Sequence, residues 1–90
     1  MNVLQKGEFK RGYKRLHENQ LVAVNEAIEK ILANPGIGEQ KKGDLARFRA
    51  YKFPVMDQMY LLAYVWDEAE NSLTFCAFGP HENFYRSLKK

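Results

Sequence analysis

Residues 59–66 read MYLLAYVW, a run with no side chain that belongs in water on either face of an extended chain. A strand exposed on one side alternates apolar and polar residues, so a strand apolar on both sides needs cover on both. That run therefore predicts the central strand of a sheet, and the remaining residues must supply its neighbours and its cover.

The neighbours are legible on both sides. LARFRAYKF (residues 45–53) alternates, with Leu45, Arg47, Arg49, Tyr51 and Phe53 on one face and Ala46, Phe48, Ala50 and Lys52 on the other. A turn around PVMDQ joins it to the central strand. DEAENS is a second turn, and SLTFCAF a third strand. Gly79 and Pro80 then predict the start of a short terminal helix, because proline suits a first helical turn. The first half has a different period. Phe9, Tyr13 and Leu16 recur at helical spacing in a lysine- and arginine-rich stretch. Asn19 is a candidate N-cap for a second helix with Leu21, Val24, Ile28 and Ile31 on one face. NPGIG (residues 34–38) ends it. NVLQ (residues 2–5) is short enough to be only an edge strand. The expectation is an α+β domain over residues 1–90, with an N-terminal helix pair on one face of a small twisted antiparallel sheet and a short C-terminal helix.

Ninety residues with 46% hydrophobic side chains build one core. The excess of 14 basic over 11 acidic residues is mild, so it points to nucleic acid only where the cations cluster. Cys76 is the sole cysteine and lies in an apolar run, which predicts a buried, unreactive thiol. The absence of a signal sequence or a long apolar stretch predicts a cytoplasmic protein with no membrane partner. His17, Cys76 and His81 lack metal-ligand spacing, so no metal or other cofactor is expected.

Two features carry candidate chemistry. Lys41, Lys42, Arg47, Arg49 and Lys52 fall within twelve residues, and on the strand Arg47 and Arg49 would share a face with Tyr51. Guanidinium groups beside an aromatic ring suit RNA, whose phosphates take cations and whose unpaired bases take planar partners. The same pattern also describes an ordinary solvated sheet face. In GPHENFYRSLKK, His81 and Tyr85 stand four apart, so on a helix they face the same way. An imidazole moves protons near neutral pH and a phenol donates one or stacks. Leu88 continues that face, so the pair is equally read as a border of the core.

FKRGYKRL, ILANPGIG, KKGDLARFRAYKF and GPHENFYRSL follow one another in an order and spacing that resemble the RelE/ParE superfamily of bacterial toxins from toxin–antitoxin pairs. The resemblance implies a small α+β toxin silenced by a cognate antitoxin that wraps it, in a toxin–antitoxin hetero-oligomer. RelE-like members are ribosome-dependent, metal-free endoribonucleases that cut mRNA, whereas ParE-like members poison DNA gyrase. Carried over by position, Arg49 and Lys52 match the basic residues of the family's second strand. His81 and Tyr85 match its C-terminal catalytic positions, and Lys41, Lys42, Arg47 and Arg86 are candidate RNA contacts. Arg49 and Lys52 lie on opposite faces of an ideal strand, so both serve one site only if a bulge or twist re-aims one. One position departs from the family. Where many members carry an arginine on the next strand, this chain has Leu61, within Tyr60-Leu61-Leu62-Ala63-Tyr64.

Overall fold

A computed structural model describes residues 1–81 and Phe84. The chain runs β1 (Asn2–Gln5), α1 (Gly7–Lys14), α2 (Glu18–Ala33), β2 (Glu39–Gln40), a single 3-10 turn (Gly43–Leu45), β3 (Arg49–Val55), β4 (Gln58–Asp67) and β5 (Ser72–Pro80). The strands form one five-stranded sheet in the order β1-β5-β4-β3-β2. MYLLAYVW is its centre, as expected, with β3 and β5 antiparallel on either side.

The two faces of β4 enter separate cores. Leu62 and Tyr64 point to one side, where Phe9 of α1 and Val24, Ala27 and Ile31 of α2 pack with Phe53, Val55, Leu73 and Phe75. Leu61 and Ala63 point to the other, with Phe48, Ala50, Cys76, Ala77 and Phe84. Phe9 anchors the helix side, its ring 5.4 Å from both Phe75 and Phe78. Alternation in β5 breaks once: Tyr64 pairs with Phe75 but Ala63 with Ala77, so Cys76 is an extra, bulged residue. The bulge puts Cys76 and Ala77 into the same core and returns Phe78 to the helix side. No helix among the described residues is long and apolar enough to cross a membrane.

Several expectations are corrected. The sheet is mixed, because β1 pairs parallel with β5 (Asn2 with Ser72 through Gln5 with Phe75). The strand expected from Leu45 begins only at Arg49: Gly43 has φ +63° and the turn it opens absorbs Leu45, so Arg47 and Arg49 do not share a strand face. Gly79 and Pro80 close β5, where proline's missing N–H costs nothing at a strand end. The expected terminal helix falls largely on residues outside those described. The second helix is capped at His17, whose backbone N–H donates to Gln20 Oε1 at 3.0 Å, and not at Asn19.

The segment after α2 is tied to the sheet by one hydroxyl. The Gly38 N–H donates to Tyr64 Oη at 2.9 Å, and Tyr64 Oη donates to the Pro35 carbonyl at 2.7 Å. A Cβ on Gly38 would lie 2.7 Å from that oxygen and 2.8 Å from Cε1, so only glycine fits. Burial raises the Tyr64 pKa above its ordinary value, with the Gly38 bond and the Arg49 charge partly offsetting.

Two stability outcomes follow. Leu62→Ala, at a fully buried position, is expected to lose about 2–5 kcal/mol in urea unfolding. Tyr64→Phe orphans the Gly38 N–H and is expected to lose about 1–3 kcal/mol. The raised Tyr64 pKa means that the unfolded chain ionises first. Its contribution is thus complete below the ordinary phenol pKa of about 10 and falls as pH rises through it. Wild type should therefore lose stability more steeply above about pH 10 than Tyr64→Phe does.

Candidate functional site

The sheet face away from the helices carries a groove of about 370 Å³, lined by Ile37, Glu39, Lys41, Ala50, Tyr51, Lys52, Leu61 and His81. Strand register builds it. Lys52 of β3 lies opposite Leu61 of β4, and Leu61 opposite Gly79 of β5. One row across three strands thus reads cation, apolar floor, glycine. His81 is two residues beyond Gly79, so the period of the strand brings it back to the same side. On the far side β2 lies against β3, Glu39 opposite Ala50, and Glu39 and Lys41 reach the groove past Gln40.

The charges are close together. Lys41 Nζ stands 2.5 Å from Glu39 Oε1. That bond first, then the charges of Lys41, Lys52 and Lys42, hold the Glu39 carboxyl below its usual pKa, so it is ionised at neutral pH. The groove therefore offers a carboxylate, two ammonium groups and an imidazole over an apolar floor. Among the described residues no cluster of three His, Cys, Asp or Glu could hold a metal ion.

The fold brings some predicted site residues together and separates others. Lys52, Lys41 and His81 share the groove. Arg49 does not: its Nη1 donates to the carbonyls of Gly36 at 3.2 Å and Gly38 at 2.7 Å, and it lines a different depression. The opposite-face geometry of an ideal strand holds, with no bulge in β3 to re-aim it. Arg47 is exposed in the loop before β3, its guanidinium 4.8 Å above the Phe48 ring, and Lys42 is exposed at the start of the 3-10 turn. Tyr85 and Arg86 lie outside the described residues. Leu61, where the resembling family often has arginine, is 2% exposed and belongs to the apolar core of this face. Glu39 escaped the reading of the sequence, because β2 is two residues long and has no periodicity to detect.

Comparison with known structures places this architecture. The intact E. coli RelBE toxin–antitoxin complex contains a chain that superposes with TM-score 0.71 at 14% identity, covering 90% of this chain and 96% of that one. The YoeB/ParE toxin from Agrobacterium tumefaciens gives TM-score 0.69 at 18% identity over 90% and 99%. A free E. coli RelE with two arginines replaced by alanine gives 0.73 at 12% over 98% and 90%. At these identities the likeness is one of fold, the small α+β fold of RelE-type toxins. The chain belongs to the ParE-like toxin family of type II bacterial toxin–antitoxin systems, whose family model matches residues 3–89. The search of curated proteins gave no match.

Arg49 and Lys52 should separate experimentally. Arg49→Ala frees two loop carbonyls and is expected to lower stability by about 1 kcal/mol or more, since bonds to charged donors are among the stronger ones. Lys52→Ala, at an exposed position, should stay within about 0.5 kcal/mol of wild type. Urea unfolding of the two variants checks this. Burial also raises the Cys76 pKa, against smaller opposing effects of Lys6 and Arg47. The native thiol should therefore resist alkylation at neutral pH and react fully once the chain is unfolded.

Proposed function

We propose that this toxin is a ribosome-dependent mRNA endoribonuclease, held inactive by a cognate antitoxin in a hetero-oligomer, and that the groove on the helix-free face is its active site. The observation that carries the reading is the convergence of His81, Glu39, Lys41 and Lys52 in one groove. Cleavage of RNA by its own 2′-hydroxyl needs a proton acceptor, a proton donor and cations for the charge that builds on phosphorus. The ionised Glu39 carboxylate takes the 2′-hydroxyl proton as that oxygen bonds to phosphorus. The His81 imidazolium donates a proton to the 5′-oxygen as the P–O5′ bond breaks. The products are a 2′,3′-cyclic phosphate and a 5′-hydroxyl, with no net change in protons. Lys52 and Lys41 offset the phosphorane charge, the kind of stabilisation that is often the largest single contribution. Tyr85 remains a candidate for orienting or stacking a base. Ribosome and mRNA are the partners this reading requires.

One observation favours a second reading. Leu61 gives the groove an apolar floor in place of a cation, as a protein-binding surface would have. On that reading the toxin inhibits DNA gyrase by binding, and His81 has no proton to move.

The two are distinguished by assaying the protein on programmed ribosomes and on purified gyrase. Wild type is expected to cut ribosome-bound mRNA. His81→Ala is expected to lower that rate by about 10²–10⁴-fold, the usual worth of positioned proton transfer, with ribosome binding and thermal unfolding unchanged. Wild type that cuts no mRNA but traps gyrase on cleaved DNA would establish the second reading instead.

A further inference from the structure

A second depression, of about 340 Å³, opens at the other end of the β3–β4 pair and is not used by the chemistry above. It gathers Trp66, Arg47, Arg49, Gln40, Asp67 and Glu68. We propose that it is a subsite for an unpaired guanine base of single-stranded RNA, with the base stacked on Trp66, its phosphate on Arg47 and its Watson–Crick edge read by the carboxylates of Asp67 and Glu68.

The platform comes first. Trp66 is half-buried, packed against the helix-side core, and still lines the depression, so its indole is held rigidly with surface to spare. Aromatic side chains in such positions stack unpaired bases of any kind. The walls are basic. Arg49 is fixed by the Gly36 and Gly38 carbonyls and contributes a charge that does not move. Arg47 is exposed, with its guanidinium carbon 4.8 Å from the centroid of the Phe48 ring. A planar donor fork of this kind is suited to phosphate.

Two exposed carboxylates in the same depression need a different explanation, because they oppose phosphate binding. A carboxylate accepts hydrogen bonds only. The Watson–Crick edge of guanine presents two adjacent donors, N1–H and the 2-amino group. Adenine presents the N1 lone pair there and would be repelled. Carboxylates beside a stacking ring thus select guanine over adenine.

The position suits a strand that also reaches the first groove. β2 is the edge of the sheet, and its alternation sends Glu39 and Lys41 to one groove and Gln40 to the other. Along β3, Arg49 and Lys52 are three residues apart, about 10 Å. The subsite nevertheless requires no cleavage, and it stands or falls independently of His81.

Trp66 is the only tryptophan in the chain, so its fluorescence reports this site directly. The experiment titrates the protein, without ribosomes, with two uridine pentamers, one carrying a central guanine and the other a central adenine. Saturable quenching by both is expected, with the guanine pentamer bound roughly 5- to 150-fold more tightly, the range for a well-formed paired contact to a base edge. Arg47→Ala should weaken both and flatten their salt dependence, since one phosphate contact is lost. Asp67→Asn keeps an Oδ1 to accept the Glu70 N–H, which Asp67 does at 3.2 Å, so the turn survives. That variant should lose most of the guanine preference while retaining quenching. Absence of saturable quenching by either pentamer, or equal affinity for the two, would overturn the proposal whatever the outcome on ribosomes.

Discussion

One phenolic hydroxyl holds the functional half of this molecule in register. Tyr64 is at the centre of the sheet, and its oxygen both accepts from Gly38 and donates to Pro35. The chain leaving α2 is thereby drawn against β4, where Arg49 grips the same segment through two carbonyls. Once that segment is fixed, the two residues of β2 have one available register on β3, Glu39 with Ala50 and Gln40 with Arg49. The charges of the groove are therefore positioned by a neutral contact on the opposite side of the sheet. A buried hydroxyl with two partners is expensive to disturb, because breaking either leaves a polar backbone group without water.

The groove's floor follows from the second core. Leu61 packs with Phe48, Ala63, Cys76 and Phe84 and cannot be both a member of that cluster and a solvated cation. Positive charge is supplied from the rim instead, by Lys41 just after β2 and Lys52 on β3. That substitution has chemical content. A guanidinium binds phosphate as a rigid planar fork, whereas an ammonium acts as a mobile point charge. A site furnished with lysines depends more on the bound strand to set its own geometry.

The sequence makes β4 plain, since eight apolar residues in succession leave few alternatives, and it makes α2 plain through Val24, Ile28 and Ile31 and the NPGIG stop. What it hides is short or non-local. The pairing of β1 with β5 joins the first residues to residues 72–75, and no local pattern encodes it. β2 is too short to show a period, and with it Glu39 is lost. Arg47 and Arg49 look alike in an alternating run, yet Gly43 takes a left-handed conformation and ends the alternation before Arg49. The candidate site is legible in the same uneven way. Lys52 and His81 are found by residue type and by family resemblance, while their meeting in one groove depends on cross-strand register.

The bulge at Cys76 has a consequence for inheritance as much as for packing. Beyond it, the residues of β5 keep the layering that the bulge sets: Phe78 joins the aromatic group around Phe9, and Gly79 pairs with Leu61 of the groove floor. His81, further along the same strand direction, takes its side of the sheet from the parity of the residues counted after that bulge. Loss of the Cys76 codon would restore regular alternation and leave every downstream side chain in its layer, whereas regular pairing with Cys76 retained would send each to the wrong layer, the imidazole to the helix side. The address of the proposed proton donor is thus written as a count, five residues upstream of the donor itself.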